Sequence, residues 1–155
     1  MLDLITDRTA ADVAHWQELK NKGYANMTAS ERAEWNTSMK GAYNPSDLNR
    51  VENAVVYLAQ RLNEFGYHVE PLVTQTWNTT SIPKPADMTR YLNNVRAIRN
   101  AFVTLRTTPD VPATMRRMTY VEANAIEQVL HDVELLVNNM VASFTYSGDI
   151  YGGEI

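Results

Sequence analysis

The chain has 155 residues, no cysteine and a formal charge of −4. That is one domain's length, and the acidic balance, with Arg116-Arg117 as its single adjacent basic pair, argues against a nucleic-acid footprint. Without cysteine there is no disulfide and no thiolate metal site, and no apolar run approaches the roughly 18 residues of a membrane-spanning helix.

The start, Met1-Leu2-Asp3-Leu4, lacks a basic n-region and an apolar h-region. No signal peptide is expected, so synthesis and folding in a cytoplasm are. The Asn-x-Ser/Thr triplets at Asn26, Asn36 and Asn78 are then chance occurrences.

Residues 1–8 read as an extended lead. Thr9 is placed as an N-cap with Asp12 three residues on, opening a short helix over about residues 10–21 that Gly23 ends. Thr28 and Glu31 repeat the capping signal for a second short helix, about 29–39, stopped by Gly41. Asn44-Pro45-Ser46-Asp47 opens a long helix over about 45–65. Asn44 is the cap, Pro45 the first helical position, and Asp47 an acid in the first turn.

Residues 67–83 break the helical period. Val69, Thr74, Thr76, Trp77, Thr79 and Thr80 favour extended backbone, punctuated by Pro71 and Pro83. The stretch is too long for a simple connection, so it is expected to lie along the helices with Trp77 as its anchor. Pro85 and Asp87 open a second long helix, about 86–106. A linker with Pro109 and Pro112 follows, and Thr119 with Glu122 caps a third, about 120–142. The glycine- and aromatic-rich end, 144–155, reads as a non-helical C-terminal arm.

The three long helices carry one pattern. Leu48, Val51, Val55, Leu58, Leu62 and Phe65 form the first stripe. Met88, Tyr91, Val95, Ile98, Phe102 and Leu105 form the second, and Ala123, Ile126, Leu130, Val133, Val137 and Met140 the third. The alternating three-four step places each set on one side of a helix. The fold class that follows is all-α, one domain over residues 1–155. It is a three-helix bundle with a short helical N-terminal extension, an extended Trp-containing connection and the C-terminal arm.

The first two long helices match beyond the stripe, with Asp47 and Asp87, Arg50 and Arg90, Asn53 and Asn93 at equivalent places. Such positions are either solvated polar groups, bonds to the backbone of the extended segments, or a ligand site. The second is the expectation adopted, because long non-helical stretches need hydrogen-bond partners. Trp16, Trp35 and Trp77 are expected as outer-layer aromatic anchors. Phe144, Tyr146, Ile150 and Tyr151 are expected to meet a neighbouring protein.

Signals for chemistry are absent. His15, His68 and His131 fall in three different elements, and no metalloprotease, nucleophile-elbow or phosphate-loop motif occurs. Glu127 and His131 lie four apart but read as solvated neighbours, and the pairs Glu31/Glu34 and Glu52/Glu64 imply no cleft. No catalytic residue, metal or cofactor is expected.

Ile5–Val13, Gly23–Thr28 with Glu34-Trp35, Gly41–Glu52, Asp87–Asn93 and Ser147–Glu154 together resemble a group of small tail-region structural proteins of phages and prophages of Gram-positive gut bacteria. The resemblance covers nearly the whole chain. Its motifs are caps and helix starts, so it carries over no catalytic residue. The third helix departs from the first two, with Ala125 and Gln128 where they have Arg and Asn. The resemblance implies a virion structural protein, an adaptor in a tail, baseplate or fibre region, assembled in the host cytoplasm. Its partners would be other tail or virion proteins or further copies of itself, with neither nucleic acid nor membrane. The alternatives are a receptor- or carbohydrate-binding module at a fibre tip and an intracellular phage-encoded interaction protein.

Overall fold

A computed structural model describes the backbone of residues 1–152 and the side chains of residues 1–144. It is all-helical, and the described residues contain no strand. Five α-helices follow one another: α1 (Ala10–Lys22), α2 (Ala29–Trp35), α3 (Pro45–Glu64), α4 (Pro85–Ala101) and α5 (Tyr120–Gly152). A 3₁₀ turn, Tyr24–Asn26, joins α1 to α2.

The sequence dictates most helix starts through caps. Thr9 and Asp12 form a reciprocal capping box at α1, as Thr28 and Glu31 do at α2. Thr119 and Glu122 do the same at α5. At α3 the Asp47 carboxylate accepts from the Asn44 backbone N–H at 2.6 Å. The Asn44 side chain does not cap forward as expected. Its amide donates back to the carbonyls of Met39 and Ala42.

Helices α3, α4 and α5 pack pairwise around one core. Val55, Ile98 and Val133, one from each, are buried in the same cluster. Leu58, Leu62, Tyr91, Val95, Ile126 and Leu130 join them, and Trp77 is inserted from the segment between α3 and α4. A second, smaller core belongs to the α1–α2 unit. There Leu19, Met27 and Met39 are buried beside Trp16 and Trp35, whose rings stack at 6.5 Å. Gly41 joins the two parts. A Cβ there would overlap the Asp12 carbonyl oxygen and lie 2.9 Å from Trp16 Cβ.

Three boundaries differ from expectation. Helix α2 ends at Trp35, where Asn36 closes it through Arg32, and Met39 turns into the small core. Helix α4 ends at Ala101, short of 106. Phe102 is extended and meets Tyr67 edge-on at 4.6 Å, which takes Leu105 off the stripe and leaves it exposed. The non-helical arm from 144 is overturned across 144–152, where α5 continues as helix to Gly152. Adding residues to a formed helix needs no new nucleus, so weak formers can be carried along.

Candidate functional site

The most elaborate polar arrangement lies where residues 1–9 cross α3 and α5. Arg8, only 4 % exposed, donates through Nη2 to Asp47 at 2.9 Å and to Glu127 at 2.7 Å. Its Nη1 donates to the Ile5 carbonyl at 2.8 Å. Arg50 grips the same two acids, with Nε at 2.8 Å and Nη2 at 2.8 Å from Glu127 and a further bond to Asp47. Glu127 is fully buried and also accepts from the Ile5 N–H at 2.7 Å. Two guanidinium groups thus face two carboxylates, and the cluster is neutral. Burial opposes the charge of Arg50, but hydrogen bonds to Glu127 and Asp47 outweigh it and raise its pKa above the ordinary arginine value.

The same segment is held at three points along α5. Glu134 accepts from the Leu2 N–H at 2.9 Å, Glu127 from Ile5, and Asn124 from Arg8 at 3.0 Å. Residues 2, 5 and 8 therefore meet residues 134, 127 and 124 of α5, so the segment runs antiparallel to the helix.

Asparagine amides repeat one device. Asn124 accepts from the Arg8 N–H and donates to its carbonyl at 2.9 Å. Asn49 does the same to Trp77, at 2.7 and 2.8 Å, and Asn63 to Val69, at 2.9 and 3.1 Å. Each amide supplies the donor and acceptor that a neighbouring strand would give, so extended backbone is satisfied without a sheet. Glu52 adds a second buried ion pair, with Arg90 Nη2 at 2.7 Å, and accepts from Trp77 Nε1 at 3.4 Å. Arg90 Nη1 and Asn94 Nδ2 both donate to the Val73 carbonyl, at 2.6 and 2.9 Å. The later connection is held likewise by Arg99 on the Pro109 carbonyl and by Asp132 on Thr108.

The six matched polar positions of α3 and α4 therefore separate. Arg90 bonds extended backbone as expected, and it also pairs with Glu52. Asp47 and Arg50 belong to the buried charge cluster, where they bond each other, Arg8 and Glu127. Asp87 caps the start of α4 through the Lys84 N–H. Asn53 and Asn93 are exposed, and Asn93 only receives Arg96 of its own helix. The clamping amides are Asn49, Asn63, Asn94 and Asn124 instead.

Glu127 is not the solvated neighbour of His131, and Glu52, Asp132 and Glu134 are buried with it. A cue was present in α5. Val129 and Leu136 make it apolar outside its stripe, which marks a helix covered on more than one side. Acids on such a helix must be paired.

Among the aromatic anchors, Trp77 is 3 % exposed in the main core, whereas Trp16 and Trp35 are half-buried in the small one. Phe144 is 66 % exposed. The side chains of Tyr146, Ile150 and Tyr151 lie outside the described residues. Several clefts remain among the described residues. One of about 760 Å³ is bordered by Met88, Met115 and Met118, and one of about 640 Å³ lies between α1 and the start of α5. Among the described residues no group of three His, Cys, Asp or Glu side chains is placed to hold a metal ion, and no helix is long and apolar enough to cross a membrane.

Compared with known proteins, the chain matches no family model, no curated protein and no solved structure.

Proposed function

We propose that this protein is a structural adaptor, a three-helix bundle that docks to neighbouring proteins and carries out no catalysis. The single observation behind this is the length of α5. Its 33 residues span about 50 Å, against about 30 Å for the 20 of α3 and about 25 Å for the 17 of α4. The last buried stripe residue of α5 is Val137, and 142–144 are exposed. A helix that continues past its own core with Phe144 uncovered offers a neighbour something to grip. The buried ionic groups support the same role, since they bond one another and the chain's own backbone and so fix the shape of the body.

The setting proposed is the tail, baseplate or fibre region of a phage particle, which rests on the sequence resemblance. Trp16 and Trp35 stack on each other instead of presenting two open faces, which favours an adaptor over a glycan-binding module.

The test is a chain lacking residues 144–155, expressed during particle assembly in place of the full chain. It is expected to keep the helical circular-dichroism spectrum and thermal midpoint of the full chain while disappearing from purified particles by mass spectrometry. Normal incorporation of the shortened chain, or absence of the full chain from particles, overturns the proposal.

A further inference from the structure

The cleft of about 760 Å³ opens where the three long helices begin. Leu48 comes from the first turn of α3, Met88 from the first turn of α4, and Met115 and Met118 from the loop that leads into α5. The three methionines are partly buried against the main core and border the cleft with the rest of their surface. Methionine is adaptable, and its thioether makes favourable contacts with aromatic rings. Among the described residues no carboxylate borders this cleft, whereas Arg116 does. Arg117 follows it, and Lys84 lies between the bordering Pro83 and Pro85. All three cations are exposed, and none is in an ion pair among the described residues.

The far end of α5 has the complementary character. Helices α1 to α4 each hold a Lys or Arg in the last turn, and α5 holds none. From Met118 onward the sequence contains no Lys or Arg, and Asp149 is the one charged residue of 145–152. The negative end of the longest helix is therefore left without a cation on its own element. Phe144 stands exposed on the same stretch, past the last buried residue of the stripe. An aromatic ring beside a negative helix end is what a methionine cleft bordered by an unpaired arginine fits. The two cannot meet within one chain. Phe144 lies about 36 Å along α5 from Tyr120, whereas Met118 stands just before that residue.

We infer that this cleft receives the end of α5 from a second copy of this chain. Phe144 of one copy packs among Met88, Met115 and Met118 of the next, and the acidic helix end meets Arg116. The inference rests on the reading that the end of α5 docks to a neighbour, and it names that neighbour. The contact joins two different surfaces, so one contact leaves a free cleft and a free helix end in the pair. These either close on each other or take up further copies.

The test is sedimentation velocity of the full chain. Reversible association is expected as concentration rises from about 1 to 500 µM, the behaviour of a small, transient interface. Phe144→Gln and Arg116→Glu change exposed positions. Each is expected to keep the thermal midpoint and to weaken association by about tenfold or more. Mixed one to one, the two variants are expected to form a heterodimer, because the first supplies an intact cleft and the second an intact helix end. A full chain that stays monomeric throughout, association that survives either substitution at full strength, or a mixture that pairs no better than each variant alone would overturn the inference. A monomeric full chain leaves the docking reading standing if the chain lacking residues 144–155 still drops out of particles, whereas normal incorporation of that chain overturns the reading itself.

Discussion

Arg8 Nη2 lies 2.7 Å from Glu127 Oε1, across 119 residues of sequence. The contact ties the segment before α1 to the middle of α5, and both side chains are withdrawn from water. Breaking such a pair leaves a charge buried without its partner, which costs about 3–5 kcal/mol. Arg8→Ala and Glu127→Ala are each expected to lose stability of that order in urea unfolding. Because Arg50 shares Glu127 and Asp47, the double variant should lose clearly less than the sum of the singles. Additive losses would show that the two groups do not act on each other.

The asparagine clamps give a second contrast. Asn49, Asn63 and Asn124 each satisfy both backbone groups of one extended residue. Replacing any of them with Ala strands a donor and an acceptor, and about 1–3 kcal/mol is the expected loss. Asn53→Ala and Asn93→Ala touch exposed positions and should stay within about 0.5 kcal/mol. Thermal or urea midpoints of the five variants decide the matter, and equal losses in both groups would contradict it.

That contrast also marks how far the sequence could be read. The core stripes were legible because periodicity alone sets which side of a helix is apolar, and Val55, Ile98 and Val133 do share one core. Helix starts were legible because capping is local. The need for polar groups to bond extended backbone was legible too, and Arg90 meets it. Which asparagine faces the segment was not, since that depends on how the connection crosses the helices. Asn49 and Asn53 are one turn apart, and only the path of Trp77 distinguishes them. Arg8 and Glu127 were illegible for the same reason, because no local pattern encodes a pairing over such a separation. The end of α5 was misread because Gly148 and Gly152 weigh against helix in isolation, while a long helix preceding them carries no nucleation cost.

Gly41 offers a test of how the small core is attached to the large one. A methyl group there meets backbone of α1, the Asp12 carbonyl, which cannot rotate away as a side chain would. Gly41→Ala is expected to push α1 off the 40–44 loop, at about 1–3 kcal/mol or more. Tryptophan emission should report it, since Trp16 is the neighbouring side chain and stacks on Trp35. The helical signal of α3, α4 and α5 should persist. Unchanged emission and midpoint in the Gly41→Ala chain would mean that the two parts are not joined at this contact.

Alkaline pH probes the end of the main core through Tyr43 and Tyr91. Their hydroxyls lie 2.7 Å apart. Burial pushes both pKa values above the usual tyrosine range. For Tyr43 the bond from Tyr91 only partly opposes this, and for Tyr91 the Tyr43 hydroxyl adds to it. A group whose folded pKa exceeds its unfolded value keeps its full contribution below the unfolded value, about 10 for tyrosine. Above that value the unfolded chain releases protons that the folded one retains, so stability falls as pH rises toward the folded pKa. Each tyrosine contributes up to about 1.4 kcal/mol of loss per pH unit in that window. Stability measured by urea between about pH 8 and 12 should be level at first and then fall steeply. Tyr43→Phe and Tyr91→Phe should each lower stability at neutral pH by orphaning a hydroxyl, and each should make the alkaline slope shallower by one group. The doubly substituted chain removes both hydroxyls together, so it should recover part of the neutral-pH loss while losing most of the pH dependence. An alkaline fall of the same steepness in that chain would assign the transition to other groups.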